Sequence, residues 1–159
     1  MDLSSRHLDY LHVLINPLPV YGGLLAVLLL GAAMILKNRP AQLLGLALMI
    51  VSAGSAWPTY LTGERAYQKV YLIADSDGQR LLDEHKQRAE KLIWVFYVVA
   101  AVALAAALRP PKVPKAASPL VWLTLIIAVI SLGIGGWIAK AGGQIRHPEF
   151  RNPKRAASP

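Results

Sequence analysis

The sequence predicts an all-α integral membrane protein: a four-helix bundle in up-down-up-down order whose third helix extends beyond the bilayer. Three observations carry this. The chain is 55% hydrophobic over 159 residues, with a mean hydropathy of +0.41, too apolar for an ordinary soluble domain. The apolar residues come in four uncharged blocks, at 13–36, 41–63, 92–108 and 116–139. Each reaches or approaches the roughly 20 residues that cross a hydrocarbon layer of about 30 Å. Four such spans leave no room for a soluble domain, so 1–150 read as one transmembrane domain and 151–159 as a basic, flexible tail.

The first helix is expected to start near Ser4 or Ser5, either of which could cap it, and to run to Leu36. Pro17 and Pro19 should kink it a turn or two from His12, because each removes a backbone donor. The span is too long, and its flank too acidic, for a cleaved signal peptide, so it should be retained. Asn38-Arg39-Pro40 makes a tight turn. The second helix then runs to Thr62-Gly63-Glu64, with Pro58 a second kink and Trp57, Tyr60, Tyr67 and Tyr71 as an interfacial aromatic belt.

Residues 66–75 read as the one connection long enough to fold over the bundle. Ser76 and Gln79 have capping-box spacing, so the third helix starts at about Asp77. On it Leu82, His85, Ala89, Leu92 and Phe96 share one inward stripe, while Asp83, Lys86, Gln87, Glu90 and Lys91 face elsewhere. The proline-rich 109–115 segment reads as a stiff linker. The fourth helix follows from about Ser118 and should end at Pro148. Gly133, Gly136, Lys140 and Gly143 would form a small-residue stripe leading up to His147. The Gly22-Gly23 pair reads as close helix packing, and Arg146 with Glu149 as a helix-end ion pair.

Charge is distributed unevenly. The net charge is +8. The two short loops hold only Lys37 and Arg39, then Arg109, Lys112 and Lys115, while all nine acidic residues lie at the opposite end. Short basic loops are normally cytoplasmic, which places both termini in the periplasm of a bacterial inner membrane. No basic face interleaved with aromatics is present, so nucleic acid is not an expected partner. The chain has no cysteine, which excludes disulfides, thiolate metal ligation and covalent haem attachment through CxxCH. No nucleophile–base pair, phosphate loop or dinucleotide fingerprint is present.

The functional expectation rests on height. Counted from the loop ends, His12, Glu64, His85 and His147 all lie some 23 to 27 residues along their helices, a climb of roughly 35–40 Å. In an up-down-up-down bundle the first and third helices are diagonal. His12 and His85 would then face each other across the axis, as axial ligation of haem b by two imidazoles requires. Glu64 and His147 would tune the iron or its propionates. In a second reading His12, Glu64, His85 and His147 bind one zinc, copper or iron ion as an N₃O set. In a third the protein is a cofactor-free structural or assembly subunit. His7, about 140° around the helix from His12, is not expected to share its inward direction.

With these residues in view, the chain resembles a family of uncharacterised four-helix bacterial membrane proteins. The resemblance is carried by His7-Leu-Asp-Tyr-Leu-His12 with Pro17-Leu-Pro19, by Thr62-Gly63-Glu64-Arg65-Ala66, by Glu84-His85-Lys86 and by Gly142-Gly143 before His147. Leu8 stands where that family tends to have proline. Similar domains occur beside Rieske and cytochrome c modules, which implies a redox setting. The expected protein is an electron carrier or respiratory-complex subunit, working between quinol in the lipid bilayer and a periplasmic redox protein, with a homodimer as a further expected form.

Overall fold

The computed structural model describes residues 10–108 and 118–151. The expected start of the first helix, His7, the 109–115 linker and the tail from Asn152 onward lie outside the described residues. Four long helices make up the rest: α1 (Tyr10–Ile35), α2 (Arg39–Ile73), α3 (Ser76–Leu108) and α4 (Pro119–Arg146), each long and apolar enough to cross a membrane. A short 3₁₀ turn, Pro148–Phe150, follows α4. Each helix packs on its chain neighbours, and α4 closes back on α1, so that α1 and α3 are diagonal. This is the expected antiparallel bundle of a membrane protein.

Its surface is inverted relative to a soluble protein. Leu25, Leu28, Val51, Trp94, Trp122 and Ile126 are all more than half exposed, as a lipid-facing surface requires. Small residues fill the interior: Ala26, Ala33, Ala103, Ala106 and Ala128 are essentially inaccessible. Lipid tails are as apolar as these side chains, so close van der Waals packing, not expulsion from water, holds the helices together. Gly22 lies against Ser52, and Gly45 approaches Leu30 so closely that a Cβ there would sit 3.1 Å from its backbone. The glycine pair in α1 therefore serves close packing, as expected.

Both proline sites leave their mark on the helices. Pro17 and Pro19 lack the donors that an α-helical ladder needs, and α1 widens into a π-turn at Leu18–Gly22. In α2 the helix is interrupted at Ser55, which separates Arg39–Gly54 from Ala56–Ile73. The Ser55 hydroxyl donates to the Ser52 carbonyl at 2.6 Å. Two residues after Lys37, in left-handed conformation with φ 52°, the chain is already helical again, with the Asn38 side chain accepting from the Ala41 amide at 3.1 Å.

The expected 66–75 loop does not exist. α2 continues to Ile73 and only Ala74 and Asp75 separate it from α3. Tyr67, Val70 and Tyr71 on this extension pack against Leu81, Leu82 and Ile145. This second small core makes the helical conformation of 66–73 worthwhile, although the local sequence is polar. The cap of α3 also differs from the Ser76–Gln79 box. Asp75 Oδ1 accepts the Gly78 amide at 2.9 Å. Gln79 Nε2 reaches back to the Tyr71 carbonyl at 3.0 Å, satisfying the end of α2.

Arg151, assigned from sequence to the tail, belongs to the bundle. It chelates Asp75 at 2.6 and 3.0 Å. It also donates to the Gln144 and Ile145 carbonyls at the end of α4. These bonds, with the Gly78 amide, hold the Asp75 carboxyl below its ordinary value. A depressed folded-state pKa contributes stability that is present above the unfolded value and lost as pH falls through the folded one. The melting temperature in detergent should therefore be higher for wild type than for Asp75→Asn at pH 7. That gap should begin to close below about pH 4, the ordinary aspartate range. A gap that stays constant to pH 2 would show that the carboxylate charge contributes nothing.

Candidate functional site

A cavity of about 270 Å³ lies between the four helices, at the end away from the basic loops. That is just under the roughly 300–1,000 Å³ usual for small-molecule sites. Three of the four sequence-predicted residues, His12, Glu64 and His85, line it.

The two histidines are held in the same way by different helices. His12 Nδ1 lies 3.0 Å from the Thr59 carbonyl oxygen on α2. A carbonyl can only accept, so the proton is on Nδ1. The Thr62 hydroxyl, itself donating to the Pro58 and Thr59 carbonyls, sits 3.2 Å from the same nitrogen as a second acceptor. His85 Nδ1 lies 2.9 Å from the Ile138 carbonyl on α4, which fixes its proton likewise. In the neutral form of both rings Nε2 then carries the lone pair, and among the described residues neither Nε2 has a hydrogen-bond partner. A backbone carbonyl on Nδ1 is the usual means of orienting an imidazole whose Nε2 binds a metal.

Each ring also rests on a glycine four residues beyond its carbonyl acceptor. A Cβ at Gly63 would meet His12 Cε1 at 2.9 Å, and one at Gly142 would meet His85 Cε1 at 3.0 Å. Hairpin α1–α2 thus supplies His12, Thr59 O and Gly63, while α3–α4 supplies His85, Ile138 O and Gly142. The two hairpins repeat the same set of contacts around their histidines.

The other predicted residues are differently engaged. Glu64 pairs with Lys86 at 3.1 Å, tying α2 to α3 at the cavity wall. Lys86 also lies 4.7 Å over the Tyr67 ring. Lys86, read from sequence as facing away, is therefore part of the wall. Its long stem reaches α2 from a position adjacent to the His85 stripe. His147 does not join the layer. It ends α4, lies exposed, and pairs with Glu149 at 2.8 Å while packing on Phe150. Pro148 ends the helix early enough to turn this imidazole outward, and it takes the Glu149 carboxylate that the sequence assigned to Arg146. Among the described residues no three His, Asp or Glu side chains converge on one point.

The small-residue stripe of α4 is out of phase with the sequence expectation. Gly135, Ile138, Gly142 and Ile145 face the bundle, whereas Cβ atoms at Gly133, Gly136 and Gly143 would meet nothing within 4 Å. The expected phase was set from His147, which lies beyond the helix. On α3 the lining runs through Leu82, His85, Ala89, Ile93 and Phe96, with Ile93 in place of Leu92. Tyr60 and Tyr67 line the cavity too, so only part of the aromatic set is a belt: Trp57 is 60% exposed. Asn16, which the sequence did not mark, and Lys86 and Arg146, read from it as facing away and as a helix-end ion pair, complete the polar lining. No protein-family model, curated protein or solved structure matches the chain.

Proposed function

We propose that this protein is a small b-type cytochrome of the bacterial inner membrane, with His12 and His85 as the axial ligands of a haem. The observation that supports this reading is the matched pair of imidazoles on diagonal helices. Each donates Nδ1–H to a backbone carbonyl of the adjacent helix, rests on a glycine, and keeps Nε2 available beside one cavity. A haem held by His12 and His85 would supply one-electron transfer chemistry.

The residues fit such a group by donor chemistry. Two imidazole Nε2 atoms are presented, the glycines let both rings pack against the helix backbone, and the remaining lining is mostly apolar. Thr59 O, Thr62 and Ile138 O orient the ligands, and the α2–α3 ion pair of Glu64 with Lys86 closes one wall. Electrons would pass from quinol in the bilayer to a redox partner at the periplasmic face, the side that the short basic loops favour for both termini. The resemblance to domains found beside Rieske and cytochrome c modules is in keeping with a role as carrier or complex subunit.

A second reading draws on the modest volume and on Glu64 sharing the cavity: one zinc, copper or iron ion held by His12, His85 and Glu64, which would require Lys86 to be displaced and the three side chains to draw together on the ion. The visible spectrum of detergent-purified protein separates the two. A Soret band with sharp reduced α and β bands is expected. A colourless protein carrying stoichiometric metal would replace the haem reading by the ion. A colourless, metal-free protein that also fails to take up added haem would leave a scaffold without cofactor.

A further inference from the structure

Resting on the haem reading, we propose that Arg146 is the anion anchor of the cavity and binds the propionate carboxylates of the porphyrin. Ile138, Gly142 and Arg146 are spaced four residues apart on α4, and all three line the cavity. The first supplies the carbonyl that fixes His85, the second the surface beneath its ring. Arg146 stands one turn further out, about 6 Å along the helix axis, on the side facing water. A porphyrin ligated at the histidine level presents its two carboxylates at its rim, and a guanidinium at this height matches them in charge and in its ability to donate two parallel bonds.

Arg146 has no hydrogen-bond or ion-pair partner among the described residues. The neighbouring acids are engaged by other side chains: Glu149 by His147, Asp75 by Arg151, and Glu64 by Lys86. Arg146 is exposed, so its guanidinium stands unpaired at the rim of the cavity. A cation in the last turn of a helix is generally favourable, but that does not require the side chain to line a cavity.

The test compares iron protoporphyrin IX with its dimethyl ester, titrated into haem-stripped full-length protein in detergent. Wild type, Arg146→Gln and Arg146→Lys are followed by the Soret band. Wild type should bind the free acid about tenfold or more tighter than the diester, the effect of one charge-assisted hydrogen bond. Arg146→Gln should lose that preference by weakening only the free acid, with an unchanged bis-histidine spectrum, and Arg146→Lys should recover part of it. Equal weakening of both porphyrins, or of neither, would overturn the anchor while leaving the cytochrome reading intact. So would a wild type that binds the diester as tightly as the free acid, a result independent of how the variants fold. Binding of neither porphyrin by wild type overturns both.

Discussion

Alanine in place of His85 should abolish the low-spin haem spectrum and leave detergent-purified protein with little retained haem. His12→Ala should do the same, whereas His147→Ala should change neither. The asymmetry follows from position. His12 and His85 each have Nδ1 fixed by a carbonyl and line the cavity, while His147 is turned to solvent and held by Glu149. Loss of a group that merely orients a metal ligand typically costs 10–100-fold in affinity, and loss of the ligand itself should exceed that. Thr62→Val, which removes one of two acceptors on His12 Nδ1, should fall within or below that orienting range. The measurements are haem-to-protein ratio and the reduced α-band. A His147→Ala variant as depleted as His85→Ala would show that the geometry assigns the ligands wrongly.

The second large effect separates two adjacent glycines. Gly142→Leu should lower the melting temperature and prevent haem retention, while Gly143→Leu should leave both unchanged. At Gly142 the first added carbon already lies 3.0 Å from His85 Cε1. That ring cannot move aside without giving up its bond to Ile138. Overpacking of this kind typically costs about 1–3 kcal/mol, and here it also displaces a ligand. At Gly143 nothing lies within 4 Å, and substitutions at such positions usually stay within about 0.5 kcal/mol. Gly63→Leu, beneath His12, should behave as Gly142→Leu does. Equal tolerance at 142 and 143 would mean that α4 is rotated from the orientation described.

Much of the scaffold was legible because charge-free runs of span length have one physical use. The diagonal placement of His12 and His85 followed from antiparallel order and equal counts along the helices. The two rings' anchoring was not legible, because the acceptors are backbone carbonyls of Thr59 and Ile138, which any residue would supply. A glycine four positions further on is a trace of each, visible only once the carbonyl is known. The α2 extension escaped notice because its apolar residues, Tyr67, Val70 and Tyr71, match partners on two other helices and show no long hydrophobic run. His147 misled in two ways. It was counted as if α4 continued to Pro148, and the glycine phase was set from it, which put Gly133, Gly136 and Gly143 inward instead of Gly135 and Gly142. Lys86 read as facing away and Arg146 as paired with Glu149 because a charged residue beside an apolar stripe usually faces solvent or pairs locally; only the cavity shows that both line it, Arg146 from an exposed position.

The bundle holds two cores governed by different solvents. The lower one, around Leu30, Leu46, Met49 and Val99, is surrounded by hydrocarbon and gains little from excluding water. The upper one, where Leu81, Leu82 and Ile145 meet the end of α2, is flanked by charged side chains and draws on the ordinary hydrophobic effect, which urea weakens and cooling diminishes. Chaotrope or chilling should thus loosen the crown of the molecule while its intramembrane half stays folded, exposing the histidine level from above.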